Sequence, residues 1–306
     1  MRVCEIINVK GLTTEDRSGQ SLNDLNFTVN RGEIFAILGH YGAGKTTLLD
    51  CMTRINTPSQ GSIIYNINSN KEDIYKHIGV QMQAQYFEHP WLTVKEVCEM
   101  YKEMFQSDVE ITQLLEEFNL QKQSNTFVEY LSNDNQRKLN ILLTLIKDPE
   151  IIFLDEPTTN LNPVPRKEVL ENIKKIRTNR KKTIVMCTYL INEVAYLADR
   201  TLVLHKGEQV CLDEVSSILE DYSLKWQIIE FQIKDQKASS QLMKYQVTQL
   251  SGDRYKLLTS DAHKMLTQLK QDVDIVDEKI KDPTLEDIFS KFAGYKIDRE
   301  GRIVNE

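Results

Sequence analysis

The 306-residue chain has 41% hydrophobic and 27% charged residues, an ordinary globular balance that excludes disordered and fibrous classes. That length accommodates one large domain plus a small one. A formal net charge of −7 argues against a nucleic-acid partner, which would require a basic face. The five cysteines (Cys4, Cys51, Cys98, Cys187, Cys211) form no CxxC pair, so buried free thiols in a reducing compartment are expected, not a metal or disulfide framework. The opening MRVCEIINVKGLTTEDR lacks the apolar core of a leader, and no run approaches the ~20 apolar residues that span a bilayer.

Residues 1–37 read as extended segments between polar turns. Leu25, Phe27 and Val29 alternate with polar neighbours, the period of a half-buried strand. The run Ile34-Phe35-Ala36-Ile37-Leu38 suits a strand buried on both faces. A glycine-rich loop follows, then a helix over 46–52. From Leu92 to about Tyr130 the pattern is helical. Thr93 with Glu96 forms a capping box, and Val97, Met100, Tyr101, Met104 and Phe105 share one face, as do Ile111, Leu114, Leu115 and Phe118. A third helix starts near Ser132 and buries Leu139, Leu142, Leu143 and Ile146; this block ends at Asp148-Pro149. Strands return at 151–154, 183–187 and 201–204, separated by helices over 166–177 and 191–198. Such alternation predicts a parallel α/β sheet. Beyond about Tyr222, short strands (226–233, 244–250, 253–259, 273–280) surround a helix near 261–271, and a last helix covers about 284–292.

The sharpest chemical signal is GHYGAGKTT, residues 39–47, which fits G-x-x-x-x-G-K-[ST] between a strand and a helix. Gly39, Gly42 and Gly44 permit a tight loop, and the backbone of His40, Tyr41 and Ala43 completes a cradle of N–H groups at a helix N-terminus. Lys45 would reach the β- and γ-phosphates of ATP and Thr46 would ligate Mg²⁺, with Thr47 beside it. The second signal is IIFLDE, residues 151–156, a buried strand delivering two acids at its C-terminal edge. Asp155 would hold Mg²⁺, and Glu156 would polarise the attacking water.

With these in order, residues 3–220 resemble the nucleotide-binding domain of ABC transporters, and PTLEDIFSKFAG (283–294) resembles the end of exporter-type ATP-binding subunits, including drug- and antimicrobial-peptide-resistance and lipid exporters. The resemblance implies a P-loop NTPase of the α/β class: a parallel sheet core, N-terminal antiparallel strands, an inserted helical subdomain at about 90–148, and a small C-terminal α+β appendage. Domains are expected at 1–221 and 222–306. It maps the family's γ-phosphate- and Mg²⁺-sensing glutamine onto Gln83, flanked by Gln81 and Gln85. It also gives Ser132 a γ-phosphate contact across a head-to-tail dimer. Tyr86, Phe87 and Trp91 then form either a patch for a partner's coupling helix or core of the helical block.

The pattern also departs from the family. LSNDN (131–135) replaces LSGGQ, so Asn133 and Asp134 stand where glycines let backbone approach the opposite nucleotide; the carboxylate of Asp134 would repel phosphate. The alternative is that Ser132 or Asp134 only caps the following helix. Tyr189 stands where the family has histidine, and a phenol is a poor proton partner at neutral pH. Asn162 replaces an aspartate, and Leu12 or Thr13 replaces the adenine-stacking aromatic.

The resemblance thus implies an ATP-binding and ATP-hydrolysing subunit on the cytoplasmic face of a membrane. It would energise a separate transmembrane permease, an exporter, and pair as a homodimer or as a heterodimer with another ABC ATP-binding subunit. Glu156, Gln83 and Tyr189 are the catalytic candidates, with Thr46, Gln83 and Asp155 around Mg²⁺. One alternative is a nucleotide-gated regulatory subunit that turns over slowly; another is a soluble ABC factor acting on ribosomes or DNA.

Overall fold

The computed structural model describes residues 4–15, 22–67, 74–83, 87, 89–223, 225–234, 241–242, 244–245, 247–285, 287–288, 296–297 and 303–304. The chain divides into two compact units, Met1–Leu212 and Asp213–Glu306. Among the described residues no helix is long and apolar enough to cross a membrane.

In the first unit, β1 (Glu5–Thr13) pairs antiparallel with β2 (Leu25–Asn30). The alternation in β2 points Leu25, Phe27 and Val29 inward. Next comes β3 (Ile34–Leu38), which has no polar side chain and is buried along its length. A loop leads into α1 (Lys45–Met52), and β4 (Gln60–Tyr65) returns to the free side of β1. A short α2 (Ile74–His77) precedes β5 (Ile78–Gln81). The inserted helices are α3 (Val94–Phe105), α4 (Ile111–Glu117) and α5 (Asn133–Leu145). Both halves of the capping box form: Glu96 N–H donates to Thr93 Oγ1 at 3.3 Å, and Thr93 N–H donates to Glu96 Oε2 at 2.8 Å.

The chain then lays down β6 (Ile151–Asp155), α6 (Pro163–Arg180), β7 (Thr183–Thr188), α7 (Ile191–Leu197), β8 (Arg200–His205) and β9 (Glu208–Glu214). The six-stranded sheet has the order β5-β6-β7-β3-β8-β9, with β5/β6, β6/β7, β7/β3 and β3/β8 parallel. Register places Leu38 beside Thr188 and Asp155 beside Cys187, so three loops that carry chemistry leave one sheet edge together. Behind that edge Phe35, Phe153 and Val185 pack in one core with Leu48 and Met52 of α1 and Leu25 and Phe27 of β2. Burying each large apolar side chain contributes ~1.5–3 kcal/mol.

The second unit holds α8 (Val215–Ser223), β10 (Gln227–Ile233), β11 (Thr248–Ser251), β12 (Arg254–Thr259), α9 (Ala262–Asp272), β13 (Ile275–Lys281), β14 (Lys296–Ile297) and β15 (Ile303–Val304). Its main sheet is antiparallel in the order β11-β12-β10-β13. Leu269 of α9 packs on Ile229, Phe231 and Leu257.

Several details differ from expectation. Residues 53–91, to which the sequence pattern assigns no element, contain β4, α2 and β5; β9 and α8 are further additions. The apolar face of α3 does not close: Val97 is buried, but Met104 and Phe105 are exposed, because Tyr101 and Phe105 line a groove of about 510 Å³ with Gln81, Met82, Leu143 and Lys147. Of the thiols, Cys51, Cys98 and Cys187 are buried, whereas Cys4 is exposed and Cys211 half-buried. Trp91 is 61% exposed, which removes it from the core of the helical block. Gln85, Tyr86 and most of the helix expected at 284–292 lie outside the described residues; there Leu285, Asp287 and Ile288 are helical and buried.

Candidate nucleotide site

The loop from Gly39 to Gly44 is shaped by close approach. Gly44 is the N-cap of α1 with φ 101°, a left-handed conformation that glycine alone adopts at no steric cost. A Cβ on Gly39 would lie 2.7 Å from the Leu204 carbonyl oxygen and 2.8 Å from Ala43 Cβ. Ala43 N–H donates to the His40 oxygen at 3.1 Å, and the Ala43 oxygen accepts from Gly207 N–H at 3.0 Å, which anchors the loop to the turn after β8. Gly42 also has positive φ, and Tyr41 projects outward, 80% exposed.

Inside the loop, Lys45 is 5% exposed. Its Nζ donates to the carbonyls of Gly39 at 3.0 Å and His40 at 3.1 Å, and lies 3.5 Å from Glu156 Oε1. Thr46 Oγ1 donates to Asp155 Oδ2 at 3.2 Å; Thr47 is half-buried beside it. Asp155 ends β6 with its other oxygen, Oδ1, buried and without a hydrogen-bond partner. Burial, reinforced by the neighbouring charge of Glu156, raises the Asp155 carboxyl from 3.8 to about 6. Glu156 itself adopts φ 48°, a conformation costing a non-glycine residue ~1–2 kcal/mol and typical of functional sites. Its Oε2 accepts from Gln83 Nε2 at 2.9 Å and Thr159 Oγ1 at 3.0 Å.

The fold therefore gathers Gly39, His40, Lys45, Thr46, Asp155, Glu156 and Gln83. Two candidates stand apart. Tyr189, half-buried just beyond β7, makes no hydrogen bond among the described residues. Ser132 is the exposed N-cap of α5, its Oγ accepting from Asn135 N–H at 3.4 Å. Leu12 is wholly buried and Thr13 Oγ1 accepts from Asp24 N–H at 3.1 Å, so neither side chain stands free to stack on a base.

Three neighbours of the site escaped the sequence reading. Thr159 is recoverable as the third residue after Glu156 in EPTT. Gln81, singled out there only as a flank of Gln83, donates through Nε2 to the Asp155 carbonyl at 3.3 Å. Arg137, whose Nη1 donates to the Gln83 carbonyl at 3.3 Å, carries no local signal, since an arginine near a helix start ordinarily reads as solvated.

A glycine cradle on a helix N-terminus, its lysine facing two acids at the end of a parallel strand one removed in the sheet, defines a P-loop nucleoside triphosphatase. Comparison with known proteins is specific. The family model described as ABC transporter matches residues 22–159. The Nod factor export ATP-binding protein I of Rhizobium meliloti (strain 1021) is 30% identical over 301 residues, covering 95% of this chain and 89% of that protein. The ATP-binding cassette sub-family A member 6 of Homo sapiens is 33% identical over 223 residues, 68% of this chain; this chain spans only 14% of that protein. Among solved structures, a dimeric post-hydrolysis ATP-binding cassette bound to ADP and Pi superposes with TM-score 0.59 at 23% identity, over 69% of this chain and 99% of that one. The cbiO1 component of a Clostridium perfringens ABC transporter complex gives TM-score 0.62 at 21% identity, over 72% of this chain and 96% of that one. The chain belongs to the ATP-binding subunits of ABC transporters, and it is a P-loop ATPase.

Proposed function

We propose that the chain binds Mg-ATP at the 39–47 loop, hydrolyses it with Glu156, and so energises export through a separate membrane permease from the cytoplasmic face. The observation that carries this reading is the convergence of Lys45, Thr46, Asp155, Glu156 and Gln83 at one sheet edge. A buried, unpartnered oxygen on Asp155 beside the Thr46 hydroxyl suits a hard cation, which prefers oxygen donors. Thr46, Asp155 and Gln83 would hold Mg²⁺, which supplies charge neutralisation at the β- and γ-phosphate oxygens. Lys45, held by two loop carbonyls and Glu156, is placed to exchange them for phosphate. Glu156 then takes up its role toward water, oriented by Gln83 and Thr159.

The domain limits 1–221 and 222–306 belong to the same proposal, with the second part as an accessory domain. The groove lined by Gln81, Met82, Tyr101, Phe105, Leu143 and Lys147 is the seat proposed for a permease helix. It adjoins the strand end that leads to Gln83, so a bound partner would bear on the residue that touches Glu156. Export is favoured by the full-length likeness to Nod factor export proteins.

The deciding experiment is ATP hydrolysis by the complex with its permease, comparing the native chain with Glu156→Gln. A loss of roughly two to four decades in rate is expected with nucleotide binding retained; equal rates would refute catalysis at this site. A second reading, tight binding with slow turnover, is favoured by one feature: the weakened signature places Asn133 and Asp134 where the family presents backbone, and Tyr189 replaces a histidine. A partner carrying an intact signature would restore one composite site, and pairing with such a chain is the assembly proposed.

A further inference from the structure

Beside Gln83 and Glu156 lies a buried cation to which the proposed chemistry gives no task. Arg137, on the second turn of α5, is 4% exposed. Its Nη1 reaches the main-chain oxygen of Gln83, while its Nε is buried with no hydrogen-bond partner among the described residues. Burial lowers its pKa, and the charges of Glu156 and Asp155 oppose that shift. The neighbouring Lys138 is also buried but pairs with the Glu168 carboxylate. A cation serving only to fasten α5 would be expected to find such a carboxylate; Arg137 instead grips a backbone carbonyl beside the two acids.

We propose that Arg137 is a positioning residue for hydrolysis, which fixes the Gln83 backbone so that the Gln83 amide stays on Glu156. This rests on the catalytic reading of Glu156. The path is short: α5, the Arg137 guanidinium, the Gln83 carbonyl at 3.3 Å, and the Gln83 amide on Glu156 Oε2 at 2.9 Å. Because α5 also supplies Asn140 and Leu143 to the groove, a shift of this helix is passed to the catalytic carboxylate through Arg137 and Gln83. The guanidinium is suited to the task, being permanently charged and rigid enough to set the carbonyl's direction.

The test is steady-state hydrolysis by the full chain for Arg137→Met, Arg137→Lys, Gln83→Ala and the two double variants, with affinity for a fluorescent ATP analogue measured on the same samples. Arg137→Met should lower kcat about tenfold or more, while KM and analogue affinity change by less than about twofold. Arg137→Lys, which keeps the charge and one donor, should recover part of the loss. The decisive reading is the cycle. If Arg137 acts through Gln83, each double variant is no slower than Gln83→Ala alone. Losses that multiply, a KM rise with kcat unchanged, or native kcat in Arg137→Met would each overturn the proposal. Should the Met variant fail to fold, the Lys cycle decides by the same criterion. Equal rates for the native chain and Glu156→Gln would instead refute the catalytic reading, and the role of Arg137 with it.

Discussion

Asp155→Asn should stabilise the nucleotide-free protein while abolishing its response to Mg-ATP. The Asp155 carboxyl titrates at 3.8 when unperturbed and at about 6 in the fold, through burial and the charge of Glu156. Between those values the folded state binds more protons than the unfolded one, so stability falls as pH rises through that window, and the full deficit is present above about pH 6. The gap corresponds to ~3 kcal/mol. Asparagine removes the charge and still offers Thr46 an acceptor; its amide N–H groups, placed where Oδ1 has no partner, cost about 1 kcal/mol in return. The net gain at pH 7.5 is therefore ~2 kcal/mol, a rise in Tm of about 4–8 °C by the usual scaling for domains of this size. Thermal unfolding followed by circular dichroism, without nucleotide, at pH 7.5 and pH 4.5 provides the assay. At pH 4.5 the native carboxyl is largely protonated and the advantage should nearly vanish. With Mg-ATP at pH 7.5 the native chain should gain stability and the variant should not. An asparagine variant that melts at or below the native chain at pH 7.5, or one whose advantage is the same at both pH values, would refute this account of the buried acid.

Other expectations follow from single contacts. Gly44→Ala must hold φ 101° with a Cβ 2.7 Å from Leu22 Cδ2; a loss of about 2 kcal/mol in denaturant unfolding, together with weaker ATP binding, is expected. Thr93→Ala removes the side-chain half of the capping box, the acceptor for Glu96 N–H, and should cost about 1 kcal/mol without changing the affinity for ATP, measured by titration. Lys45→Ala should weaken binding of a fluorescent ATP analogue by at least about tenfold; unchanged affinity would dismiss the phosphate-loop assignment. On the proposed reading of the altered signature, Tyr189→His combined with Asn133→Gly and Asp134→Gly should raise kcat severalfold in a turnover assay, and no gain would count against those departures limiting the rate.

The parts of the fold legible in sequence are those in which local pattern and burial agree. Ile34–Leu38 and Ile151–Leu154 are apolar throughout because both faces of these strands are covered, and the capping box of α3 is written in two residues. The phosphate loop was legible for the same reason: its chemistry is contiguous. β4 and β5 were not. In β4 the polar and apolar residues (QGSIIY) fix no clear period, and β5 has four residues interrupted by Gly79. Their strand character comes from their neighbours, β1 and β6.

The site divides along the same line, and the division says where its control resides. Lys45, Thr46, Asp155 and Glu156 come from two contiguous motifs whose meaning is fixed by spacing. Gln81, Gln83, Thr159 and Arg137 meet those motifs only through the sheet order and the lodging of α5. Gln83 and Thr159 donate to the Glu156 carboxylate, Gln81 donates to the Asp155 main-chain carbonyl, and Arg137 donates to that of Gln83. Gln83 and Thr159 hold one oxygen of Glu156 while Lys45 faces the other, so the carboxylate is pinned between its orienting donors and the cation that ATP would claim. If phosphate draws Lys45 away, the restraints left on Glu156 are those from Gln83 and Thr159. The residues proposed to bind ATP are thus spelled out locally, whereas those that contact Glu156 or reach it through Gln83 become evident only when the helical block is set against the sheet.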